Sequence, residues 1–256
     1  MAISVLNRPA PQSSGMTAHR LLVTRRFPDN GLYRPIGFLS SDAGRYTFAY
    51  LRKSVEADWF APLPGLSDSG RKYRSDQLFP IFAERVISAR RPDRTEALKA
   101  LGLAEDAAPF EVLNRSGGQR VGDTIELVPM PWVASDGSFS QLFLVHGVRH
   151  RSAEAQARIG QLHPRDRLLL RPDRSNAVNA LAVQVADSDG LTLGFVPDPL
   201  AEFMQDVLAN RRGYNLSVEQ ANGVDAGYHF RLLVRLEGYA PPGEQPYTGP
   251  DWQTVG

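Results

Sequence analysis

From residue 139 onward the chain is a succession of short apolar runs cut at close intervals by turn signals. That pattern constrains the fold more than any other feature of the sequence. QLFLVHGVRH, DRLLLRP, ALAVQVAD, LTLGFVP, NLSVEQ and YHFRLLVRLEGY each read as a strand. Two amphipathic stretches interrupt them. Ser152 stands where an N-cap belongs, ahead of AEAQARIGQL with Ala155, Ile159 and Leu162 on one face. Asp198 and Pro199 form an N-cap and first-turn pair for LAEFMQDVLAN, whose Leu200, Phe203, Met204, Val207 and Leu208 make one apolar stripe. Many short strands with two helices predict a small, partly open barrel or curled sheet.

The first half reads differently. TAHRLLVTRRF has strand character around Leu21, Leu22 and Val23, and PIGFLSSDAGRYTFAYL reads as a hairpin bending at Ser41, Asp42 and Gly44. Ser75 is placed to cap a helix over RSDQLFPIFAERV, TEALKALGL reads as a second helix ending at Gly102, and DTIELVPM returns as a strand. Around VPMPWVASDGS the Pro, Ser and Gly content rises and the pattern resets, which marks a boundary. The expected division is a leader at 1–16, a mixed α/β subdomain at 17–132, a small β-barrel domain with two helices at 139–239 and a flexible tail at 240–256. The fold class is α+β.

Several chemistries are excluded or unsupported. The 256 residues include no cysteine, so disulfides, thiol nucleophiles and thiolate metal sites are out. No segment approaches the roughly 18 apolar residues of a membrane span, and no secretory core is present, so a cytoplasmic protein without membrane contact is expected. His19, His146, His150, His163 and His229 lack metal-ligand spacing, and no phosphate-loop, nucleophile-elbow or zinc-helix motif occurs. Asp187 and Asp189 flank Ser188 ahead of Gly190, as a hairpin turn requires. NRSGGQRVGD at 114–123 imitates an anion loop, with Arg115 and Arg120 nearby. It leads into a strand instead of opening a helix, and so reads as a structural turn. No catalytic residue, metal or cofactor is expected.

The net charge of +1 means that any anion-binding surface must arise from local clustering. Of the 29 basic residues all but Lys53, Lys72 and Lys99 are arginine, the side chain that grips phosphate bidentately and stacks on bases. Between His146 and Ala186 stand Arg149, Arg151, Arg158, Arg165, Arg167, Arg171 and Arg174 against Glu154, Asp166 and Asp173. The next stretch, to Asn210, carries five carboxylates and no cation. Such a one-sided patch suits a phosphate backbone, an acidic protein face, or solvent alone.

GVRHR at 147–151, the Arg171 to Val183 stretch with NALAV, and DG before LGFVP resemble the HIRAN domain over roughly residues 139–237. The resemblance implies an OB-like β-barrel that binds single-stranded DNA, in its best-known form at a free 3′ end, within a nucleic-acid-binding adaptor of repair, stress or defence. The family's Arg-aromatic-aromatic run falls on Arg149, His150 and Arg151. Its Asn-Pro-Tyr-Asp segment falls on Arg174, Ser175, Asn176 and Ala177, so the stacking tyrosine and capping aspartate are absent. The implied DNA-contacting set is Arg149, His150, Arg151, Arg171, Arg174 and Asn176, with Phe195 as a stacking platform.

Residues 35–129, with GRYTFAYL, PLP, YRSDQLFPIFAERV and PFEVLNRSGGQRVGDTIELVP, resemble the N-terminal subdomain of HipA-type toxin kinases. This implies an interaction module that engages a protein partner, with no catalytic residue. The competing expectation is a protein-binding, antitoxin-like regulator of a kinase with no nucleic-acid role.

Overall fold

The computed structural model describes residues 19–256 except 28, 30, 121, 211 and 241–244; the expected leader lies outside them. Its first half comprises β1 (His19–Arg26), β2 (Tyr33–Asp42), β3 (Arg45–Tyr50), α1 (Arg52–Val55), β4 (Tyr73–Ser75), α2 (Pro80–Ala83), α3 (Arg94–Ala100), α4 (Pro109–Ser116) and β5 (Ile125–Pro129). The strands form one antiparallel sheet in the order β4-β3-β2-β1-β5. The β2–β3 hairpin closes on Ala43 and Gly44, both in the left-handed region at φ 46° and 82°, which matches the twist of the paired strands.

Period-two alternation gives this sheet two buried faces. Leu21, Val23, Leu39, Phe48 and Tyr50 pack against Phe82 of α2 and Phe110 and Leu113 of α4. Leu22, Phe38, Leu51 and Val128 face the other way, into a core continuous with the second half.

That half comprises β6 (Ser138–Leu144), α5 (Ala153–Ile159), β7 (Arg167–Pro172), β8 (Val183–Ala186), β9 (Thr192–Phe195), α6 (Ala201–Ala209), β10 (Tyr214–Ala221) and β11 (Leu232–Tyr239). The antiparallel order is β6-β11-β10-β7-β8-β9. The sheet curls until its edges meet. His146, just past β6, exchanges backbone hydrogen bonds of 2.8 and 2.9 Å with Phe195 of β9. Gly194 permits this approach, since a Cβ there would stand 2.4 Å from the His146 carbonyl oxygen.

Several expectations change. The strand read over QLFLVHGVRH runs from Ser138 only to Leu144, before the Gly147 turn. Asp198 does not cap α6: with Pro199 it opens a separate 3-10 turn and accepts from Asn179, and Leu200 stands at the N-cap of the helix. The helix over 74–86 shrinks to the four residues of α2: Tyr73 and Arg74 join β4, the Ser75 hydroxyl accepts the Gln77 N–H at 3.0 Å in a local turn, and Pro80, lacking an N–H, starts the helix late. The strand expected from Ala180 begins only at Val183. Residues 245–256, read as a tail, are packed: Val255 N–H donates to the Tyr50 carbonyl, Gln253 accepts from Arg52, and the Tyr247 hydroxyl donates to the Pro199 carbonyl at 2.8 Å. Tyr247 is 7% exposed, which is why a Pro- and Gly-rich composition misleads here.

Candidate functional site

The turn carrying Arg149 and His150 owes its shape to Gly147, whose φ of 70° bends the chain out of β6 into a single 3-10 turn at Val148–His150. Ser152 then caps α5 as its sequence position predicts, accepting the Ala155 N–H at 3.2 Å. Gln156 reaches back from α5 and donates to the carbonyls of Arg149 and Arg151, at 3.4 and 3.0 Å. Beneath it, the buried Arg231 donates to the carbonyls of Gln156 and Asn222. No carboxylate among the described residues pairs with Arg231, so a further positive charge underlies the turn.

Register aligns the rest. Arg171 on β7 stands opposite Gln184 on β8, and Gln184 opposite Phe195 on β9, so the three share one face of the sheet. The Arg151 guanidinium lies 5.0 Å above the Phe195 ring at the end of this row. Phe195 is thus covered on one side by a guanidinium, a planar group that can itself stack on a base. The Nε of Arg151 is buried with no hydrogen-bond partner.

Arg149, His150, Arg171 and Arg174 are exposed, and no ion pair among the described residues holds these arginines. Arg171 lies over the β8–β9 turn, donating to the Gly190 carbonyl at 3.1 Å. Arg158 does not belong to this free set. Its Nε donates to Asp187 at 2.8 Å, and Asp189 lies 3.7 Å from it. Burial alone would push the Asp187 carboxyl up, but the Leu191 N–H and Arg158 hold it below the ordinary range.

Asn176 is committed locally. Its side-chain oxygen accepts the N–H groups of Val178 and Asn179 at 3.0 and 3.1 Å, and its amide donates to Asp173. Asn179 in turn donates to Asp198 at 3.1 Å. These side chains build the 173–182 loop, which presents Val178 and Leu181 at its exposed tip. The tip residues line a largely apolar cleft of about 330 Å³ whose charged groups are the carboxylates Asp198 and Glu202, which disfavour phosphate there.

Arg167, outside the expected set, joins the basic face, and Arg165 is exposed in the turn before β7. Arg167 alternates with buried Leu168 and Leu170 and so shares the exposed face of Arg171, a relation readable from the alternation in DRLLLRP. Arg165 sits at φ 76°, uncommon for a side-chain-bearing residue, with its N–H donating to the Val218 carbonyl at 2.7 Å. Nothing in the sequence signals that conformation.

Gly117, at φ 69°, caps the C-terminus of α4, so the helix turns its negative end towards the glycines that follow. Arg120 pairs with Glu84 at 2.9 Å and the buried Arg85 with Asp123. Among the described residues no group of histidines and carboxylates has metal-binding geometry, and no helix is long and apolar enough to cross a membrane.

No family model and no curated protein matches the chain. Among solved structures it is similar to the HIRAN domain of human HLTF, with 17% identity and a TM-score of 0.31 over 43% of this chain and 78% of that one. A structure of a Lactobacillus plantarum protein is similar at 17% identity and a TM-score of 0.31, over 41% of this chain and 99% of that one. Likenesses of this size carry no argument, and the functional reading rests on the residues themselves.

Proposed function

We propose that the chain is a non-enzymatic adaptor that binds single-stranded nucleic acid, DNA in the first instance, on the exposed face of the curled sheet. The observation that carries this reading is the row Arg171, Gln184, Phe195 and Arg151. It combines a guanidinium over an aromatic ring with an exposed cation on one sheet face, and Arg149, His150 and Arg174 add exposed basic side chains on the adjoining turn and loop. Single-strand binders combine these same elements, a backbone-tracking positive groove with planar groups for the bases. The carboxylates of the cleft at the 173–182 loop confine the strand to one side.

Asn176 enters as a loop-forming residue and Arg174 as a phosphate contact. With Asn176 and Ala177 where the resembled family has its tyrosine and aspartate, the grip follows the backbone and does not require a terminus. The first half serves as a packed partner of the binding half; its HipA-like resemblance adds a protein-binding role without chemistry.

The test compares fluorescence anisotropy of a short single strand with a free 3′ hydroxyl, the same strand with a blocked 3′ end, and a blunt duplex. Equal binding to both single strands and weaker binding to the duplex is expected. No binding to any of them at about 50 mM salt sinks the reading.

A further inference from the structure

The face of the first sheet that leaves the shared core carries a second polar row. Arg20 on β1 stands opposite Ser40 on β2, Ser40 opposite Thr47 on β3, and Thr47 opposite Arg74 on β4. The segment 245–256 crosses above it, leaving a cavity of about 390 Å³, within the range of small-molecule sites. Arg20, Lys72, Ser40, Thr47, Phe38 and Trp252 line it.

The cations are uncompensated. Arg20 stacks its guanidinium 3.2 Å from the Phe38 ring centre and donates to the Tyr247 carbonyl at 3.4 Å. No carboxylate among the described residues pairs with Arg20 or Lys72, and no carboxylate lines the cavity. Asp251, on the covering segment, is already bound to Lys53 at 2.9 Å. Burial lowers the Arg20 guanidinium to about 10, so it remains charged at neutral pH at a desolvation cost that a bound anion would offset. The wall opposite is aromatic: Trp252 packs edge-on against Tyr247 at 4.7 Å and lies 6.1 Å from Phe38.

We infer that this cavity binds a phosphate monoester carrying a planar ring, of mononucleotide size, with Arg20 and Lys72 on the phosphate and Trp252 against the ring. Two cations and two hydroxyls match a dianion better than a single carboxylate. The site stands apart from the basic face of the second sheet and shares no residue with it.

Isothermal titration of the full chain with adenosine 5′-monophosphate tests this, beside adenosine and inorganic phosphate. The monophosphate is expected to bind, and each of the other two at least about tenfold more weakly. Lys72→Glu, at an exposed position, should weaken binding at least about tenfold, and Arg20→Met should do the same. An Arg149→Ala/Arg151→Ala variant should leave the titration unchanged, which separates failure of this site from failure of the nucleic-acid reading. A 5′-phosphorylated oligonucleotide that competes identifies a strand end as the source of the phosphate, and one that does not identifies the free nucleotide. No binding of the monophosphate at millimolar concentration, equal binding of adenosine, equal binding of inorganic phosphate, insensitivity to Lys72→Glu, or loss in the Arg149/Arg151 variant each overturns the inference.

Discussion

His146 Nε2 lies 2.8 Å from Glu126 Oε1, so a buried ion pair links the strand that closes the curled sheet to β5 of the first sheet. Tyr33, His229 and Asp198 face the pair, with Arg26 acting on Tyr33. Burial would push the Glu126 carboxyl up and the His146 ring down, yet each holds the other charged: Glu126 lies below its ordinary value and His146 above. His229, buried and donating to the Ser116 carbonyl, is held below its ordinary value by burial and by the His146 cation.

The pair's contribution has a definite pH window. Glu126 stabilises the fold above its unfolded value of 4.5, and this is lost as pH falls through its lowered folded value. His146 stabilises below its unfolded value of 6.5, and this is lost as pH rises through its raised folded value. Glu126→Gln should therefore cost more at about pH 5.5 than at about pH 8.5, by roughly 1 kcal/mol. Urea denaturation of both proteins at the two pH values measures it; an equal cost at both contradicts the pairing.

Gly194→Ala drives a methyl into the His146 carbonyl and the Val145 side chain. Overpacking against backbone predicts a loss of about 1–3 kcal/mol and a lower melting temperature. A variant that melts like the parent would show that the sheet edges do not meet as described.

Arg158 and Arg174 separate structure from binding. Arg158→Gln removes a partner of the buried Asp187 and should cost about 1–3 kcal/mol of stability. Arg174→Gln, at an exposed position, should leave stability within about 0.5 kcal/mol while weakening strand binding. Melting curves and anisotropy on both variants decide, and the reverse pattern would remove Arg174 from the interface.

Tyr247→Phe tests the packed C-terminal segment. It deletes the hydrogen bond to Pro199 and keeps the ring against Trp252, so the expected cost is about 1 kcal/mol by denaturant titration. An unchanged midpoint would show that the segment is not anchored there.

Elements with a clean period were legible from sequence: α5 behind its Ser152 cap, α6 by its apolar stripe, and the alternation of β7. The 74–86 stretch misled because Phe79 and Phe82 reach the core from a single turn, which satisfies helical spacing without a helix. The late start of β8 traces to Asn176 and Asn179, whose side chains capture the backbone that strand pairing would use. α4 was hidden by the glycines that follow it, although Pro109 and Gly117 bracket it as start and stop. Arg149, His150 and Arg151 are consecutive, so the chain itself keeps them together. The neutralisation of Arg158 by Asp187 and the link from Glu126 to His146 depend on strands meeting in space, which charge counting along the chain does not register.

The salt dependence of single-strand affinity tests the central claim most directly. Four arginine contacts to phosphate, from Arg149, Arg167, Arg171 and Arg174, at about 0.7 per contact, predict a slope near −2.8 for log K against log salt, about a 50-fold loss between roughly 50 and 200 mM. Arg149→Ala/Arg151→Ala, which removes one phosphate contact and the stacking plane, should weaken binding at least about tenfold and flatten the slope by about 0.7. An unchanged slope in that variant, or no binding by the parent at the lower salt, contradicts the account.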